Sequence, residues 1–131
     1  MNHLPVVISG AGPVGLVLAM RLGHMGIACT VLESAPELVR GLRASTFHPP
    51  TLDMLDEHGI TAGLIDAGLI APTWQVRMHT TGQYAEFDLS VLKDDTAHPY
   101  RLQCEQWRLS ELLLAHIQTN LPHVQVHWGC P

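Results

Sequence analysis

The sequence predicts an α/β fold in which a parallel sheet is built on a strand–helix–strand unit, and three observations carry the prediction. Leu4–Ser9 (LPVVIS) is a short, continuous run rich in β-branched residues, the pattern of a strand buried on both faces. Glycines at 10, 12 and 15 break that run and open an apolar helical stretch to about Met25, stopped by Gly26 where a left-handed residue is wanted. Ile27–Glu33 (IACTVLE) is a second buried-strand pattern. Two strands and a crossover helix within about 30 residues form a βαβ unit, so parallel pairing is expected.

The remaining elements follow in order. Arg40–His48 reads as a loop, followed by short helices at Pro50–His58, ended by Gly59, and Ala62–Ala67, ended by Gly68. Trp74–Thr80 and Gln83–Leu89, joined by Thr81-Gly82, read as a β-hairpin, and Asp94–His98 as a polar loop. Tyr100–Glu105 is a short strand candidate. Leu109, Leu112, Leu113, His116 and Ile117 fall at i, i+3, i+4, i+7 and i+8, an amphipathic helix. Val124–Trp128 (VQVHW) closes the series as a strand. The expected order in the sheet is Val124–Trp128, Ile27–Glu33, Leu4–Ser9.

Composition narrows the function classes. A formal charge of -5 with scattered basic residues and one lysine, Lys93, argues against a nucleic-acid surface, which needs clustered Lys and Arg. Residues 4–20 carry no charge, but glycines and Pro13 interrupt them, Arg21 ends them, and no basic segment precedes them. Buried strand and helix explain that apolarity better than a membrane span or signal peptide. Cys29, Cys104 and Cys130 form neither a disulfide framework nor a metal knuckle, as expected of thiols in a reducing cytoplasm. The nine histidines show no HxH or HExxH spacing, so no metal motif is read. His24, His58 and His116 fall at or near predicted helix C-termini, where imidazole can meet free carbonyls.

The chemistry-bearing segment is Gly10-Ala11-Gly12-Pro13-Val14-Gly15, with Glu33-Ser34 closing the second strand. Gly10 permits the tight turn out of the strand, Gly12 admits a pyrophosphate close to the backbone, and Gly15 lets the helix approach the sheet. The helix N-terminus offers unpaired N–H groups and a partial positive charge to phosphate. Glu33, 18 residues beyond Gly15, is placed to accept hydrogen bonds from ribose hydroxyls and would repel a 2′-phosphate. This is a Rossmann-like dinucleotide grip. By itself it does not separate FAD from NAD, and a stand-alone NAD- or ADP-binding module, or a truncated product that folds poorly, stays open.

Three blocks extend the match. GAGPVGLVLAMRLGHMGIACTVLE (10–33), RGLRASTFHPPTLDMLDEHGI (40–60) and QWRLSELLL (106–114) resemble the FAD-dependent aromatic hydroxylases, the single-component flavoprotein monooxygenases typified by 4-hydroxybenzoate and phenol hydroxylases. The resemblance implies FAD as cofactor, NAD(P)H as transient co-substrate and a small aromatic substrate hydroxylated with dioxygen. It implies that Arg43 lies against the FAD pyrophosphate and that Gln106 opens a helix at the flavin side. The cofactor-binding set is then Gly10, Ala11, Gly12, Val14, Gly15, Glu33, Ser34, Arg43 and Gln106, with no catalytic residue identified. Later motifs of that family, an Asp-Gly segment and a Gly-Asp motif, are not in these residues, so the chain is expected to be the N-terminal third of such an enzyme and not catalytic alone. Residues 73–90 would then be a hairpin excursion belonging to the substrate domain. Later strands of the family would flank Leu4–Ser9, so its free edge is expected to invite self-association.

Overall fold

The computed structural model describes residues 6–131. In chain order its elements are β1 (Val6–Ser9), α1 (Pro13–His24), β2 (Cys29–Leu32), β3 (Thr46–Phe47), α2 (Pro49–Asp56), α3 (Thr61–Ala67) and β4 (Leu69–Ala71). There follow β5 (Thr73–Arg77), β6 (Tyr84–Asp88), a 3-10 turn (Leu89–Leu92), β7 (Arg101–Gln103), α4 (Gln106–Asn120) and β8 (Val124–His127). Leu4 and Pro5, the start of the first predicted strand, lie outside the described residues. The fold is mixed α/β. It divides into two compact units, one of residues 1–43 with 106–131 and one of residues 44–105.

The first unit carries a three-stranded parallel sheet ordered β1-β2-β8, in register Val6–Cys29–Val124 through Ser9–Leu32–His127. One face is apolar: Ile8, Cys29, Val31 and Val124 are buried, together with Leu16, Ala19 and Met20 of α1 and Leu109, Leu113 and Ile117 of α4. The other face is not buried, since Val7 is 58% and Leu32 38% exposed. The expectation of strands buried on both faces is therefore corrected. A continuous apolar run allows burial on two sides, but only the side bearing Ile8 and Val31 meets helices here. β1 stands at the end of this sheet's strand order.

Helix α1 begins at Pro13, whose missing N–H costs nothing at a first turn. It ends through Gly26 at φ +75 as expected. The contact that seats it falls on a glycine not singled out in the sequence. A Cβ at Gly23 would lie 2.8 Å from Val124 Cγ2 and 2.9 Å from Leu121 Cδ1, so only glycine lets α1 pack this closely.

The second unit holds a short antiparallel sheet ordered β3-β7-β4 and the separate hairpin β5–β6. Two of its strands were not expected: β3 interrupts the predicted Arg40–His48 loop, and β4 follows α3 directly. Strands of two or three residues are too short to show a period, and only pairing with β7 defines them. Gly68 ends α3 as predicted, but at φ -118, not in the left-handed region. It is glycine for space, since a Cβ there would sit 2.8 Å from the Gln103 carbonyl oxygen. The hairpin turn is also wider than the predicted Thr81-Gly82 pair. Met78 N–H donates to Gln83 O at 2.8 Å and Gly82 N–H to Met78 O at 2.9 Å, with Gly82 at φ +70. Within the polar loop His98 is buried, its Nδ1 2.7 Å from Asp53 Oδ1.

Candidate functional site

The site grows from the turn between β1 and α1. Gly10 sits at φ +97 and its N–H donates to Leu32 O at 2.7 Å, which carries the chain off the sheet with β2 still in register. Gly12 is the N-cap of α1, with φ -74 and ψ 178 and no side-chain cap. The first N–H groups of a helix have no intrahelical acceptor, so this end presents unpaired donors. A Cβ at Gly12 would have nothing within 4 Å, whereas one at Gly15 would fall 2.0 Å from Gly10 O. The two glycines serve opposite needs. Gly15 is where the helix presses on the turn, and Gly12 is where the backbone faces open space.

Glu33 follows β2 and fastens this turn. Its Oε2 accepts the Ala11 N–H at 2.7 Å, and its Oε1 accepts the Ala35 N–H at 2.9 Å and the Ser34 hydroxyl at 3.2 Å. Hydrogen bonds from the backbone of Ala35 and then Ala11 hold the carboxyl below its ordinary value of 4.5. A carboxylate has about four acceptor positions, so these three donors leave little spare. The Ser34 hydroxyl is the most distant of them and the easiest to exchange.

The depressed value has a pH consequence. A group whose folded-state pKa lies below its unfolded one stabilises the fold above the unfolded value, and that contribution disappears as pH falls through the folded value. Glu33→Gln should therefore cost about 1 kcal/mol at neutral pH, below the usual range for charged hydrogen bonds because Glu33 is only half-buried. Thermal melts of both proteins from pH 7 down to pH 3 check this: the gap between them should close below about pH 4.5, and a gap constant with pH would contradict the assignment.

Ala11, Gly12, Glu33, Arg43 and Gln106 line one cleft of about 120 Å³. It opens where the C-terminal ends of the parallel strands meet the start of α1, the position at which open α/β sheets take ligands. Gly10, Val14, Gly15 and Ser34 do not line it. Gly10 and Gly15 shape the turn, Val14 is 82% exposed, and Ser34 reaches the cleft only through Glu33. The wall also contains residues the sequence reading missed, among them Val39, Trp107, Ser110 and Trp128. Trp128 had a signal, an aromatic directly after a parallel strand. Trp107 is flanked by two guanidinium groups, with Arg108 Cζ 4.6 Å and Arg40 Cζ 5.8 Å from its ring centroid. Arg40 also pairs with Glu111 Oε1 through Nε at 3.1 Å, which joins the segment after β2 to α4. Nothing in the spacing of the sequence connects Arg40 to α4.

Among the described residues no helix is long and apolar enough to cross a membrane. A family model described as "FAD binding domain" matches residues 3–130. The para-nitrophenol 4-monooxygenase of Pseudomonas sp. (strain WBC-3) is 37% identical over 125 residues, covering 95% of this chain and 30% of that protein. The 6-hydroxy-3-succinoylpyridine 3-monooxygenase of Pseudomonas putida is 36% identical, covering 96% and 32%. Among solved structures, the p-nitrophenol 4-monooxygenase of Pseudomonas putida DLL-E4 superposes with a TM-score of 0.86 at 34% identity, covering 98% of this chain and 33% of that one. The chain thus spans about a third of the length of the curated relatives it matches.

Proposed function

Because the chain belongs to the FAD-binding domain family and its cofactor is FAD, we propose that it holds the ADP half of that cofactor for a monooxygenase acting on a small aromatic compound. The observation that carries the reading is the single cleft. It brings the open Gly12 backbone, the Glu33 carboxylate, Arg43 and Gln106 together at one end of a parallel sheet, although they are spread over nearly the whole chain. On this reading β1–α1–β2 is a Rossmann-like unit. The pyrophosphate lies over Gly12 and the first N–H groups of α1, with Ala11 and Val14 on either side of the approach. Gly10 and Gly15 keep the turn open for it. Glu33 takes a ribose hydroxyl in place of the Ser34 hydroxyl while keeping its hold on Ala11 N–H. Arg43 offsets phosphate charge, and Gln106 offers an amide from the start of α4.

The residues present fit the group. Gly12 supplies a cradle that a side chain would fill, and an anchored carboxylate stands at the strand end. Bound FAD, reduced by NAD(P)H, would supply electrons for dioxygen activation, and this chain's part is to bind and orient it. The aromatic substrate class is supported by what the relatives are named for, nitrophenol and hydroxypyridine oxidation. The β5–β6 hairpin, exposed along almost its whole length and stiffened by Trp74 stacked on Phe87 at 4.3 Å, is read as part of the surface that would face substrate.

Calorimetric titration of the chain with FAD, ADP, NAD and 2′-phospho-ADP tests this reading. FAD and ADP should bind, and 2′-phospho-ADP at least about tenfold more weakly, because a second anion beside the Glu33 carboxylate is repelled. Equal or reversed affinities would remove Glu33 from the ribose. Binding of NAD but not FAD would replace the monooxygenase reading with that of a nicotinamide-nucleotide module.

A further inference from the structure

A positive charge stands uncompensated in the second unit. Arg101 opens β7 and pairs across the sheet with Ala71 at the end of β4. Pro72 carries the chain from there into β5, which brings Trp74 to that arginine: Arg101 Cζ lies 5.5 Å from the Trp74 ring centroid. Among the described residues no hydrogen bond or ion pair reaches the Arg101 side chain, and its Nε is buried without an acceptor. The residue as a whole is half-buried. A guanidinium stays cationic and presents a fork of N–H donors. Drawing it half out of water without a counter-charge is costly, and such a group calls for an acceptor.

The hairpin beside it is two-sided. Side chains alternate along a strand, so Trp74 and Val76 of β5 share a face with their partners Phe87 and Ala85 of β6. Trp74 stacks on Phe87, yet Phe87 and Val76 remain exposed. The opposite face satisfies itself, since Gln75 Nε2 donates to Glu86 Oε2 and Arg77 Nε donates to Gln75 Oε1 at 2.7 Å. Open apolar side chains next to an unpaired cation suit a ligand with a flat apolar body and an anionic end.

From this geometry we infer that Arg101, Trp74 and Phe87 form a binding site for an aromatic carboxylate. Its two oxygens pair with the terminal nitrogens of Arg101, the bidentate match for which a guanidinium is shaped, and its ring lies on the apolar face of the hairpin. Trp74 holds the guanidinium in place from the protein side. One guanidinium balances one negative charge, which favours a carboxylate over a dianionic phosphate. That this ligand is the monooxygenase substrate rests on the function proposed above; that it binds here does not. The sequence carries no sign of the site, because Arg101 meets Trp74 only through the pairing of β4 with β7.

Titration of the full chain with sodium benzoate, benzamide and sodium acetate, followed at the Arg101 Nε–H and Trp74 indole N–H resonances, is the test. Benzoate should move both resonances together and saturate in the millimolar range. Benzamide keeps the ring without the charge and acetate the charge without the ring, so each should bind at least about tenfold more weakly. Arg101→Gln should weaken benzoate binding by at least about tenfold and leave ADP binding unchanged. Benzamide or acetate binding as well as benzoate overturns the proposal, as does the absence of any shift at tens of millimolar benzoate. The three probes in the parent chain decide the matter even if the variant does not fold. ADP binding without a benzoate response would remove this site and leave the Glu33 cleft standing, and a benzoate response without ADP binding would do the reverse.

Discussion

Gly12→Val is expected to abolish FAD binding while leaving the fold in place. The backbone at this position has φ -74 and ψ 178, extended geometry that a β-branched residue adopts without strain. No atom lies within 4 Å of where its Cβ would project. The side chain instead occupies the space in front of the first N–H groups of α1, where the pyrophosphate is proposed to rest. Far-ultraviolet circular dichroism should be unchanged, and quenching of flavin fluorescence should fall by at least about a hundredfold in affinity, the loss of ~2.7 kcal/mol of phosphate contact. Gly12→Ala should show the same effect in weaker form. Full FAD affinity in the valine variant would mean that the turn serves packing alone.

At Gly15 the smallest possible change should be among the most damaging in the chain. An alanine Cβ would lie 2.0 Å from Gly10 O, 3.2 Å from Gly10 C and 3.4 Å from Ile8 Cγ2. The first of these is a collision with backbone, which no side-chain rotation relieves. Either α1 must draw away from β1, uncovering Leu16 and Met20, or the turn at Gly10 must unwind and lose its bond to Leu32 O. Helix propensity favours alanine by about 1 kcal/mol, far less than the overlap costs. A loss of about 3 kcal/mol or more is expected, which lowers the melting temperature by roughly 10 °C in a chain of this size. Thermal melts of Gly12→Ala and Gly15→Ala side by side check the contrast. The same methyl group, three residues apart, should be nearly silent in one and severe in the other. Similar melts would mean that the turn is softer than its packing indicates.

What the sequence by itself determined is the part of the molecule whose causes are local or strictly periodic. The β1–α1–β2 unit and its parallel pairing were legible because apolar runs and glycine stops each need only a short window. The presence of Glu33 at a cleft with Ala11, Gly12, Arg43 and Gln106 was legible only once the family resemblance had joined the three blocks. Tertiary structure alone decided the rest. Whether a strand is covered on one face or two depends on what packs there, so Val7 and Leu32 gave no sign of their exposure. β3 and β4 exist because β7 pairs with them, and Gly23 and Gly68 are glycines for the sake of atoms distant in sequence. Glu33 reads in the chain as a ribose acceptor; folded, it is also the fastening of the Ala11 turn. The approach of His24 to His116 across 92 residues leaves no periodic trace, because a contact between two helix ends is set by how the helices pack and not by any spacing along the chain.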